Sequence, residues 1–224
     1  MNELEINKLQ ELLNATHIFT EHEVPVAPEP TVARDSHDIY TVVGVNLERQ
    51  VMCAVQMFQN LGTFDTLCEN DRISLIKYGC FIMFCMRSLP AYDYSSDHWT
   101  YPIDNENSMI LTLYQMFPYA YSMAFKRVFH SLSQELDSDP VVLDLLTAIL
   151  LFNPDRPMLT HRELVKLQQN IYMYLLHRYI LLKYRKKSES QQHKYSKLMK
   201  CLKDLNILGE KHLESIKRTD ARSS

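Results

Sequence analysis

Glycine is scarce in this chain of 224 residues: Gly44, Gly62, Gly79 and Gly209 are all there are. That is too few for a protein of many tight turns, and with leucine and methionine abundant it points to helices. The five cysteines, at 53, 68, 80, 85 and 201, contain no Cys-x-x-Cys pair. That spacing excludes a dense disulfide framework and suggests buried thiols in a reducing compartment. An excess of positive charge is missing too, since the net charge is -3, which leaves no basic footprint for nucleic acid. No run of 18 or more uncharged apolar residues occurs, so no membrane span is expected. The opening MNELEINKLQELL is a charged amphipathic helix and not a signal peptide, and a soluble intracellular chain is expected. HExxH, GxSxG and Gly-rich phosphate loops are absent, and the nine histidines lack metal-ligand spacing. Asp137 and Asp139 read as the N-terminal charge of a following helix. Neither enzymatic activity, nor a metal, nor a cofactor is expected.

What is present is helical periodicity. Leu4, Leu9, Leu12, Leu13 and Ile18 share a face, giving a first helix over residues 1–20. Its LQELL run fits the LxxLL motif of groove-docking helices, but such matches arise often in amphipathic helices, and these leucines are expected to pack on the domain itself. Residues 21–37 hold three prolines and read as a flexible loop. Residues 38–62 form a second helix, with Ile39, Val43, Leu47, Val51, Ala54, Val55 and Phe58 inward. The segment after Lys77, YGCFIMFCM, is apolar nearly all round, as for a helix in the middle of a protein. Residues 90–102 read as a short β-hairpin or β-turn. Helices follow at about 107–117, 119–136, 140–152, 159–186 and 193–218 by the same periodicity. Thr160 and Glu163 form a capping box for the fourth of these, and the polar KSESQQHK reads as a loop. Residues 38–218 thus complete one domain begun by the first helix, with 219–224 a disordered tail.

Residues 64–88, FDTLCENDRISLIKYGCFIMFCMRS, resemble the signature of nuclear receptor ligand-binding domains. Phe64, Leu67, Asp71, Ile73, Leu75 and Lys77 match it, and Ile76 stands where the pattern has leucine. Ala148-Ile149 through FNPDRP resembles the end of the family's eighth helix, and LMKCLKDLNILGEKH at 198–212 its tenth and eleventh. Arg87, ten residues after Lys77, and Trp99, twelve further on, look like the vitamin D receptor group and its invertebrate relatives, which sense sterols and xenobiotics. Retinoid-related orphan receptors are similar at Arg87. The resemblance implies an all-α fold, a three-layer antiparallel helical sandwich of about nine to eleven helices with one small β-turn.

It also implies a pocket for a small hydrophobic ligand: a sterol, fatty acid or xenobiotic. Arg87 would anchor a ligand hydroxyl or carboxylate, or else pair with Asp93, Asp97 or a backbone carbonyl. Trp99 would wall the pocket or lie in the core beneath the turn. His212 matches a ligand-bonding position, or is a satisfied core histidine. Met83, Met52 and Val55 complete the expected lining, methionine being suited to a promiscuous pocket. Lys77, Gln59 and Ile73 would border a coregulator groove. Leu198, Leu202 and Leu205, flanked by Lys203, recur as a coiled-coil-like seam, which the resemblance makes a heterodimer interface with a retinoid X receptor-type partner. That seam could also simply pack inward.

Two departures bear on activity. LESIKRTDARSS, which follows His212, offers no activation helix, and Gln59 stands where the family's helix-three lysine belongs. Coregulator peptides then lack a charge clamp. No cysteine quartet has zinc-finger spacing, so this chain alone is not expected to bind DNA. The expectation is a ligand-binding regulatory domain of a nuclear hormone receptor, acting in the nucleus. The alternative is a ligand-independent dimerising corepressor or interaction module.

Overall fold

A computed structural model describes the backbone of residues 1–184 and 188–223, and the side chains of 1–64, 66–184 and 193–215. Helix α1 (Glu3–Thr16) starts on a reciprocal cap in which Asn2 Oδ1 accepts from the Glu5 amide and Glu5 Oε2 from the Asn2 amide, satisfying two otherwise orphaned donors. Leu12 and Ala15 are buried, whereas Leu4 and Ile6 stay exposed. The LQELL run thus turns its middle leucine into the domain. A single turn, α2 (Ile18–Glu21), follows.

Helix α3 (Ser36–Gln59) buries Val42, Asn46, Cys53, Ala54, Met57 and Phe58. Its inward face is therefore rotated from the purely apolar stripe expected: Ile39, Val43, Leu47 and Val51 are only partly buried. Asn46 takes an inward position because its side-chain amide donates to the carbonyls of Val42 and of Pro102 across the fold. A polar residue can sit in a core when its donors are met.

Helix α4 (Glu69–Arg87) is long and apolar enough by composition to cross a bilayer. In the fold it packs against α3, α7 (Pro140–Leu151) and α9 (Ser188–Ser223). It buries Leu75, Cys80, Ile82, Met83, Phe84, Cys85 and Met86, the large apolar ones contributing about 1.5–3 kcal/mol each. Gly209 marks the close approach of α9, for a Cβ there would meet Ile82 Cγ1 at 2.5 Å.

The β-element extends beyond the short hairpin or turn expected at residues 90–102. Strands β1 (Thr31–Val32), β2 (Tyr92–Asp93), β3 (His98–Pro102) and β4 (Ser108–Thr112) form one sheet in the order β1-β4-β3-β2. β1 runs parallel to β4, and the other pairs are antiparallel, with Trp99 opposite Leu111. Residues 107–117, expected as a helix, are mostly β4 followed by the short α5 (Leu113–Met116). The turn between β3 and β4 is set by Asp104, whose carboxylate accepts from the amides of Glu106 and Asn107, a local bond that competes with helix. β1 also lies within residues 21–37, which were expected as loop.

Helix α6 (Tyr119–Leu136) ends on Asp137 in the left-handed region, φ 54°. Asp137 thus closes one helix, and only Asp139 opens the next, accepting from the Val141 amide. Helix α8 (Arg162–Lys183) is not started by the expected Thr160–Glu163 box, since no side chain of its own N-cap bonds there. The Asp71 carboxylate, fully buried at the start of α4, does the capping. It accepts from the Thr160 amide at 2.6 Å and the His161 amide at 2.9 Å. Burial pushes that carboxyl up, but the bonds from Thr160, His161 and Cys68 outweigh it and leave it below the ordinary value. The expected loop at 187–194 lies partly outside the described residues, and from Ser188 the backbone is already helical. The side chains of the expected tail, 219–224, are likewise outside them.

Candidate functional site

A cavity of about 470 Å³ opens between the segment from Phe19 to Val26, α3, the end of α4 and β3. Asn46, Arg49, Gln50 and Cys53 line it from α3, the i, i+3, i+4, i+7 stripe of one helical face. Arg87 and Ser88 close its floor, and Thr100, Tyr101 and Pro102 come from β3. Phe19, Val24 and Val26 add an apolar outer wall. Two guanidiniums, two amides and a serine beside apolar walls suit an amphiphile with a polar or anionic head.

Arg87 is in this cavity, but its strongest bonds go elsewhere. Its Nη1 lies 3.0 Å from Asp144 Oδ1 and 3.0 Å from Thr147 Oγ1, both on α7. Its guanidinium also stacks 3.8 Å from the centre of the Phe19 ring. Neither Asp93 nor Asp97 is its partner. Asp93 accepts from Ser95 and Ser96, and Asp97 from Tyr92 and Lys126. Burial lowers the Arg87 pKa, and Asp144 opposes that shift. Burial likewise raises the Cys53 thiol despite Arg87 and Arg49 nearby, which makes Cys53 a neutral lining group.

Trp99 lies one ring behind the cavity wall. It is wholly buried, donates from Nε1 to the Ser88 carbonyl at 3.1 Å, and stacks on Tyr101. His212 is buried in an aromatic box with Phe81, Phe117 and Phe125, and its Nδ1 has no hydrogen-bond partner among the described residues. Met83 is fully buried on α4, whereas Met52 is 54% exposed and Val55 half-buried. Met52 therefore faces solvent and not the interior, because α3 is rotated as described. Rings occupy much of the centre that the resemblance assigns to ligand.

Lys77, Gln59 and Ile73 are all exposed, at the end of α3 and along the first half of α4. The leucine seam is different. Leu198, Leu202 and Leu205 are buried in the core, and only Lys203 among the named interface residues is exposed. Those leucines are spent on packing against the domain and are not surface for a partner. An open groove of about 710 Å³ does lie between α6 and α9, lined by Val128, Arg127, Lys197, Lys200 and Ile207.

The residues that sequence reasoning missed are Arg49, Asn46 and Asp144. Asp144 carried a readable signal: it is the one charge in the helix PVVLDLLTAILL, and a carboxylate in an apolar helix needs a cation.

The titration of His212 gives a testable consequence. Burial lowers its pKa, so the unfolded chain, near 6.5, binds the proton first as pH falls. Stability from this group is complete above about pH 6.5 and is lost as pH drops towards the lower folded value. Thermal melts should therefore show a lower Tm at about pH 5.5 than at about pH 7.5. His212→Phe, which keeps a ring in the box, should flatten that slope. An unaltered slope would place its origin at another group.

No protein-family model matches the chain. Among curated proteins it is 29% identical over 131 residues to the nuclear hormone receptor HR96 of Drosophila melanogaster, covering 56% of this chain and 18% of that protein. It is 30% identical over 164 residues to the ecdysone receptor of the same species, covering 73% of this chain and 18% of the receptor. The ecdysone receptor of Lucilia cuprina matches over the same 73% of this chain at 29% identity. The chain thus spans about a fifth of the length of these receptors. Over most of its own length, the chain is a homologue of the nuclear hormone receptors.

Proposed function

We propose that this chain is a ligand-binding regulatory domain of the nuclear receptor type, working in the nucleus and close to the vitamin D receptor-like group. The observation that carries the reading is the signature from Phe64 to Lys77, running into a buried central helix that ends with Arg87 on a cavity floor. The ligand is a sterol, fatty acid or xenobiotic whose polar head meets Arg49 and Arg87. His212, with its unpartnered Nδ1 in the interior, offers a second polar contact to a ligand that displaces aromatic rings. Binding stabilises the domain by linkage and biases partner binding at the Lys77–Gln59–Ile73 surface. A retinoid X receptor-type partner remains the proposed dimer partner, seated on exposed α9 residues such as Lys203 and not on the buried leucines.

Native mass spectrometry of the purified chain, with extraction of what travels with it, tests this reading. A stoichiometric amphiphile is expected. Arg49 is the better probe residue, because among the described residues its Nη1 bonds Asn46 on its own helix and no buried acid. Arg49→Ala should weaken ligand binding by about tenfold or more, the worth of a charge-assisted bond, without loss of fold. An empty chain that folds and dimerises would replace this reading with the ligand-independent interaction module.

A further inference from the structure

Cys68, Asp71 and His161 bring a thiol, a carboxylate and an imidazole within 4.8 Å of one another. Two come from the start of α4, and the third lies 90 residues on, immediately before α8. Cys68 occupies the N-cap of α4 yet makes no side-chain cap bond, a place where serine, asparagine and aspartate are the favoured residues. Its sulfur lies within 4.8 Å of the Asp71 carboxylate and of the His161 imidazole.

We propose that these three side chains form a binding site for a divalent cation of the zinc class. Thiolate, imidazole and carboxylate are the donors that zinc combines, and three protein ligands leave its fourth position to water. The geometry needs little change. His161 Nδ1 and Asp71 Oδ2 are now 2.9 Å apart. Tetrahedral bonds of zinc length would set them at about 3.3 Å, and would set the sulfur about 3.6 Å from each. The first pair parts by a few tenths of an ångström, and rotation of the Cys68 side chain closes the remainder. Asp71 need not abandon α8. Oδ1 keeps the Thr160 amide, and Oδ2 has lone pairs for both the His161 amide and the metal. The His161 side chain is 49% exposed, so water reaches the open position from solvent.

Such an ion would tie the start of α4 to the start of α8 and stabilise the fold in proportion to its occupancy. The site is independent of the lipid cavity: the cation binds whether or not a small-molecule ligand does.

Titration of the full chain with Co²⁺ and then Zn²⁺ is the test. One equivalent of Co²⁺ should give a thiolate-to-metal charge-transfer band that Zn²⁺ abolishes, and Zn²⁺ should raise Tm. Cys68→Ser keeps or improves the α4 cap, and His161→Gln alters a half-exposed side chain, so both variants should fold. Each should weaken Zn²⁺ binding by at least roughly tenfold, since even outer-shell partners of a metal are worth that much. Cys68→Ser should erase the charge-transfer band. Absence of the band in the parent chain, or its survival in Cys68→Ser, would overturn the proposal.

Discussion

Replacing Arg87 by alanine is expected to lower the Tm by roughly 10 °C before any effect on ligand is considered. The side chains of Arg87 and Asp144 are only 11% and 16% exposed. Removing one member of a buried pair strands the other charge, at a cost of about 3–5 kcal/mol. A kilocalorie shifts Tm by roughly 2–4 °C in a chain of this size. Thr147 Oγ1 also loses a donor, and Phe19 loses the guanidinium stacked on its face. Asp144→Asn should cost less, since the amide oxygen still accepts from Arg87. The double replacement Arg87→Met with Asp144→Leu should recover much of the loss, because apolar residues of similar volume often substitute for a buried ion pair. Melting curves of the four proteins provide the check. If Arg87→Ala melts with the parent and only ligand binding suffers, then Asp144 contributes little and Arg87 is a ligand anchor alone.

The α4–α7 pair explains why the site was only partly legible in the sequence. An apolar run without a polar face located α4, and periodicity located α7, because burial over many residues leaves a pattern in the sequence. It could not say that Arg87 on one meets Asp144 on the other, since pairing across helices depends on crossing geometry. The same limit applies to Asp71. Its match to the family signature was visible, but its work as the cap of a helix 90 residues away was not, and a local Thr160–Glu163 box stood in for it. The strand β4 was missed for a different reason. SMILT and the following LYQM form a run short enough that helix and strand patterns coincide, and the pairing with HWTYP decides between them. The leucine seam shows the reverse error. A heptad-like spacing was correctly seen, but spacing alone does not tell whether a stripe faces the chain's own core or a partner.

Trp99 separates the core reading from the ligand reading most cleanly. Its indole is wholly buried among Tyr92, Tyr101, Phe117 and Phe129, and its N–H is held by the Ser88 carbonyl. Trp99→Ala should therefore cost about 3–5 kcal/mol through lost burial and the cavity left behind, with the Ser88 carbonyl keeping only the Ala91 amide as a donor. Trp99→Phe retains most of the apolar contact and should cost distinctly less. The hole in Trp99→Ala is lined by rings, so it should stay dry and accept a small apolar guest. Added indole should then raise the Tm of Trp99→Ala while leaving the parent unchanged, because in the parent the same space is filled. The opposite pattern, a variant as stable as the parent that has lost only its lipid, would mean that Trp99 meets the ligand directly. Ser88 supports the first outcome. Its carbonyl holds the indole while Ser88 itself lines the cavity floor, which sets Trp99 behind the wall as its support.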